Sequence, residues 1–110
     1  MAVDFEEEVR AALDSVPAEL ARGLENVAVV VEDEHPGDLG LFGTFHGVPR
    51  TERSSFGPNP PATITIFRLP LEESFPDPEE LRRQIRITVL HELAHYFGLD
   101  ETRLGELGYE

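Results

Sequence analysis

The sequence predicts an α+β fold, and three observations carry that expectation. Residues 27–32 and 62–68 form two short stretches dense in β-branched side chains, as strands are. An Asp-Pro-Glu-Glu start at Asp77 opens a helical pattern that runs to Phe97. A further pattern near the N-terminus places Phe5, Val9, Ala12 and Leu13 on one helical stripe. With 110 residues, 40% of them hydrophobic, the chain is expected to form a single domain over residues 1–110 around one modest core.

Asp4 to Leu13 reads as the first helix. Ser15-Val16-Pro17 reads as a restart, with Pro17 at the first position of a short helix to Arg22 that Gly23 closes. Val27 to Glu32 follows as a strand, compact and β-branched enough to be expected buried on both faces. His35-Pro36-Gly37 marks a turn between Asp33 and Asp38, and His35 is read there as a loop residue, not a ligand. Leu39 to Phe45 alternates as a second strand weakened by its glycines. From His46 to Pro61 the chain carries four prolines and two glycines, and so long an irregular stretch in a small domain is usually functional or mobile. Ala62 to Arg68 is the clearest strand. Its threonines alternate with Ile64 and Ile66, so one face is expected buried and the other wet. Asp77 then caps a helix over 78–97, about 30 Å long, whose buried stripe includes Leu81, Ile85, Val89 and Ala94.

That last helix carries His91-Glu92-Leu93-Ala94-His95. Two histidines four apart share one helix face, and their imidazole nitrogens can converge on one ion at about 2.0–2.1 Å. Glu92 directly follows the first of them, where its carboxylate can serve a water activated by the metal instead of the metal itself. Gly98 ends the helix by accepting a left-handed turn, so the chain can fold back and bring Asp100 or Glu101 toward the same ion. The pattern points to a zinc hydrolase site. Two surface histidines sharing a face by chance would need neither the clean helix start upstream, nor Gly98, nor the carboxylates beyond it.

Composition narrows the function classes. The net charge is −13, and all nine basic residues are arginine. Ten acidic and two basic residues fall within 1–34, so the acid is concentrated at the N-terminal end. Such a balance repels phosphate backbones, and no nucleic-acid partner is expected. With no cysteine, neither disulfides nor cysteine zinc sites are possible. The N-terminal residues lack the basic start and apolar run of a secretory signal, and no stretch approaches the length of a membrane span. A cytoplasmic protein without membrane association is the expectation.

The segment His91–Tyr109, HELAHYFGLDETRLGELGY, resembles a family of short bacterial zinc metallopeptidases with a minimal zincin fold. So do the upstream stretches LGLF (39–42), GVPRTERS (47–54) and ITIFRLPLE (64–72), and together the likeness covers roughly residues 39–110. The resemblance implies a small mixed sheet against a zinc-binding helix, with one strand running along the active-site cleft. It also implies an acidic third ligand six residues after the second histidine, here Glu101, giving zinc held by His91, His95 and Glu101. Glu92 would be the general base of peptide hydrolysis. Strand 63–68, exposed at such a cleft, is expected to take a peptide or protein substrate as an added strand. Tyr96, Tyr109, Arg103 and His46 are all open as groups to stabilise the oxyanion.

Other zinc families fit less well. The spacing also resembles the long metzincin motif with Glu101 in place of its third histidine, but the methionine turn of that group is excluded because Met1 is the only methionine. Glu106 and Glu110 lie too close behind the motif to resemble the distant glutamate of thermolysin-like enzymes. His91, His95, Gly98 and Asp100 resemble the motif of a bacterial rRNA-maturation ribonuclease family, against which stand Glu92 and the net charge. A zinc-stabilised binding module without turnover is the other alternative, since a chain this short leaves room for only a shallow groove.

Overall fold

The structure, a computed structural model, describes residues 3–16, 27–47 and 61–97. Helix α1 spans Phe5–Asp14 and begins where Asp4 accepts a hydrogen bond from the Glu7 amide at 3.2 Å. Glu6, Glu7 and Glu8 fill its first turn, where acidic side chains meet the positive end of the helix dipole. Phe5, Val9 and Ala12 are buried as their spacing predicts. The helix expected from Pro17 to Arg22 lies outside the described residues.

Three strands form one mixed sheet: β1 (Val27–Glu32), β2 (Gly43–His46) and β3 (Ala62–Phe67), in the order β1-β3-β2. β1 runs parallel to β3, from Val27 opposite Ala62 to Glu32 opposite Phe67. β2 is antiparallel to β3, from Gly43 opposite Ile66 to His46 opposite Thr63. Helix α2 (Arg68–Ser74) follows β3 directly, and helix α3 (Pro78–Phe97) follows α2. α1 and α3 cover the sheet face that carries Ile64 and Ile66, and their buried side chains join one core with Leu71, Leu81, Ile85 and Val89. Burying each of these large side chains stabilises the fold by about 1.5–3 kcal/mol. Among the described residues no helix is long and apolar enough to cross a membrane.

This is the α+β fold expected, with the small mixed sheet against the long helix, but several strand details differ. β1 is not buried on both faces: Val27, Val29 and Val31 are half-buried, while Ala28, Val30 and Glu32 are exposed. Among the described residues it is paired only to β3 and covered by helices on one face, so alternate residues stay wet. The second strand occupies 43–46 and not 39–45, because Asp38 draws the preceding residues into turns. Its amide donates to the His35 carbonyl, its carbonyl accepts from Leu41, and its carboxylate accepts from the Gly40 amide. β3 has less of a wet face than expected, since it is central: Thr65 is buried and Thr63 half-buried. Both edges of β3 are taken, so strand 63–68 offers no edge to which a peptide could add. α2 was not anticipated, and Pro70 in its first turn, where no intrahelical amide is needed, is compatible with it.

One ion pair crosses the seam between α1 and α3. Glu8 is 9% exposed, and its carboxylate accepts from Arg86 Nε at 2.8 Å, with Arg82 Nε at 3.8 Å. Arg82 and Arg86 stand one helical turn apart and are about half exposed, so the acid is buried while its partners keep water. Glu8→Ala is expected to lower the unfolding free energy by about 1–2 kcal/mol and Glu8→Gln by less. Urea denaturation reads this directly; a midpoint for Glu8→Ala equal to that of the wild type would mean that apolar contacts alone hold the seam.

Candidate active site

The site is built on α3. Asp77 Oδ2 accepts from the Glu80 amide at 3.0 Å, Asp77 O accepts from the Leu81 amide, and Pro78 takes the first helical position. That cap sets where the helix starts and hence which residues face the core. Toward the C-terminal end the burial becomes nearly circumferential: Thr88, Val89, Leu90, Glu92, Leu93, Ala94, Tyr96 and Phe97 are all buried. The gap is a strip along one face, with Gln84 and Ile87 half-buried and His91 and His95 exposed. The helix therefore shows both imidazoles to solvent from a surface that is otherwise closed.

The His91 and His95 ring centres are 4.9 Å apart. Two imidazoles on one tetrahedral ion at about 2.0–2.1 Å would have ring centres about 5 Å apart. Neutral imidazole pairs with a carboxylate close by are ordinary zinc chemistry, so these residues fit the metal that the pattern implies. Glu92 sits between the two histidines in sequence, with its side chain only 10% exposed against 54% for His95. Its Oε2 lies 3.6 Å from His95 Nδ1, within ion-pair reach but beyond a hydrogen bond.

β2 runs beside this helix in the same direction. Gly43 lies against Thr88 and Glu92, and two residues on the Phe45 ring is 5.9 Å from that of Tyr96. Followed backward, the chain from Phe42 to Asp38 extends over the preceding turns of α3. A cleft of about 470 Å³ separates the two, lined by Asp38, Leu41 and Phe42 on one side and Gln84, Ile87 and Thr88 on the other. His91 and Glu92 line it as well, at the end nearer the exposed histidine pair.

Over residues 24–109 the sequence matches the family model of zincin-like metallopeptidases. The chain belongs to that family. No curated protein matches the sequence.

In this zincin-like chain, the structure brings His91, Glu92 and His95 together. Glu101, expected as third ligand, and Asp100, its close alternative, lie outside the described residues, as do Glu106 and Glu110. Among the described residues no three His, Asp or Glu side chains gather as a ligand set. Two oxyanion candidates can be judged. Tyr96 is 1% exposed, with its ring against those of Phe45 and Phe97, which makes it a core residue. His46 follows Phe45 in β2, and alternation along the strand turns it to the sheet face away from α3. Arg103 and Tyr109 lie outside the described residues.

Sequence reasoning missed Gly43, Asp38, Leu41, Phe42 and Thr88 as site residues. Gly43 alone left a trace, as a glycine inside a strand pattern, which often marks a close backbone approach. A Cβ there would meet Thr88 Cγ2 at 3.0 Å, the Thr65 carbonyl oxygen at 3.2 Å and Glu92 Cγ at 3.4 Å. Gly43→Ala is expected to cost about 1–3 kcal/mol of stability by pushing β2 off the helix beside Glu92. Thr88→Ser, which removes the nearest methyl group, should recover part of that loss in the double variant. Simple additivity of the two in thermal melts would show that they do not share this contact.

Proposed function

We propose that this chain is a zinc-dependent peptidase in which Glu92 is the general base. The observation that carries the reading is a buried carboxylate on the wall of a cleft, flanked along the helix by two exposed histidines. His91 and His95 would hold the metal, with Glu101 as the third ligand that completes an open site. When bound, zinc supplies Lewis acidity, lowering the pKa of a water toward about 7 and polarising the carbonyl of the scissile bond. Glu92 takes a proton from the attacking water as its oxygen bonds to the carbonyl carbon. It then delivers that proton to the amide nitrogen as the carbon–nitrogen bond breaks. Its poor exposure helps, since a carboxylate with few competing waters stays directed at the cleft.

The substrate proposed is an extended peptide or unfolded protein segment. Since β3 is paired on both sides, the added strand is assigned to the outer edge of β2, which is unpaired among the described residues. Gly43 in that strand lies against Thr88 and Glu92, so a peptide added to β2 would run close to the base. Among the described residues no arginine lines the cleft, which favours peptide over a phosphate-bearing substrate.

Glu92→Gln keeps size and ligands but removes the base. Zinc is expected to be retained, and hydrolysis of unstructured peptide mixtures to fall by at least about 100-fold. Metal analysis and a peptide digest, with RNA digested in parallel, measure both. Wild-type protein that binds zinc but cleaves neither substrate would point to a binding module, and cleavage of RNA alone to a nuclease. His91→Ala and His95→Ala should abolish tight zinc binding. Glu101→Ala should weaken it far more than Asp100→Ala or Glu106→Ala; loss in Asp100→Ala with full affinity in Glu101→Ala would move the third ligand by one residue.

A further inference from the structure

Residues of different chemistry line the cleft beside Glu92. Glu92 and His91 line it from the later turn of α3 and Gln84 from an earlier one, and Asp38 lines it from the chain five residues before Gly43, which lies against Thr88 and Glu92. Gln84 and His91 are seven residues apart on α3, about 10 Å along the helix, and Ile87, Leu41 and Phe42 add apolar side chains to the same lining. Asp38 is held in place by its own backbone and side-chain bonds to His35, Gly40 and Leu41, so its carboxylate is a fixed feature of the rim. Among the described residues no lysine or arginine lines the cleft, and the chain as a whole carries −13.

From this we infer that the cleft is a specificity pocket for a lysine or arginine side chain of the substrate next to the scissile bond. The inference rests on the peptidase reading of the site. A long unbranched stem lies along Ile87, Leu41 and Phe42 while its cationic tip reaches Asp38, the arrangement in which such side chains bury methylenes and keep their charge near water. A short apolar side chain does not reach Asp38, and an acidic one meets its like charge.

The test uses full-length zinc-loaded Glu92→Gln protein, so that peptides bind without turnover. Peptides of one neutral background carry lysine, norleucine or glutamate at each position in turn, and affinity is read by fluorescence anisotropy. At one position lysine is expected to bind about three- to tenfold tighter than norleucine, and glutamate weakest. Asp38→Asn preserves the acceptor for the Gly40 amide while removing the charge, and should bring lysine and norleucine to within about twofold. Added salt should narrow the same gap. Norleucine equal to or better than lysine at every position, or a lysine preference untouched by Asp38→Asn, overturns the inference and leaves Asp38 as a turn residue. The lysine preference seen with wild-type protein that cleaves no peptide would instead uphold the pocket and overturn the peptidase reading.

Discussion

Between Thr88 and Phe97, helix α3 is enclosed around most of its circumference, and the geometry of the site depends on that enclosure. The sheet covers one side through Ile64 and Phe45, and α1 covers another through Phe5, Val9 and Ala12. A helix held on several sides cannot rotate about its axis without exposing Val89 or Leu93, each 2% exposed or less. Rotation of even a fraction of a turn would therefore cost several side chains' worth of burial, about 1.5–3 kcal/mol each. The strip bearing His91 and His95 is fixed by what the rest of the helix must bury. The imidazoles gain a defined direction without being buried themselves.

The contact at Gly43 extends that constraint to strand β2. A strand and a helix normally keep a side chain's thickness between their backbones, and here β2 comes closer because one residue has no side chain. The closeness has two effects. It places the outer edge of β2 level with Glu92, and it leaves the segment before β2 to lift away over the earlier turns of α3. The cleft is the space opened by that divergence. A tight approach at one point and a turn-rich loop behind it thus produce a groove that leads to Glu92.

Charge is arranged with the same economy of parts. An excess of thirteen negative charges favours expansion by self-repulsion, yet one of the buried acids, Glu8, is matched by two arginines across the α1–α3 seam. Arg68 joins Asp33 to Glu72, tying the end of β1 to the start of α2. Arg82, Arg86 and Arg68 are engaged in this way, and the described lining of the cleft holds no arginine.

The long helix, its Asp77 start and the histidine pair with Glu92 were legible in the sequence, because capping and i,i+4 spacing are local and do not depend on distant residues. The existence of β1 and β3 was legible for a similar reason, since β-branched runs report a pleated, partly buried surface. Which strand is central was not. Val27–Glu32 is the more apolar run, yet it lies beside β3 and shows Val30 to solvent, whereas the threonine-bearing β3 took the middle and lost its wet face. Composition along a strand cannot say how many neighbours it will have; pairing is settled between segments some thirty residues apart. The same limit hid the cleft: Asp38, Leu41, Phe42 and Gly43 become site residues only when β2 aligns with α3, and their sequence separation of more than forty residues from Gln84, Thr88 and Glu92 leaves no periodicity to read. Local chemistry was written in the chain, and the groove that would put it to use exists only because two distant backbones meet where there is no side chain to keep them apart.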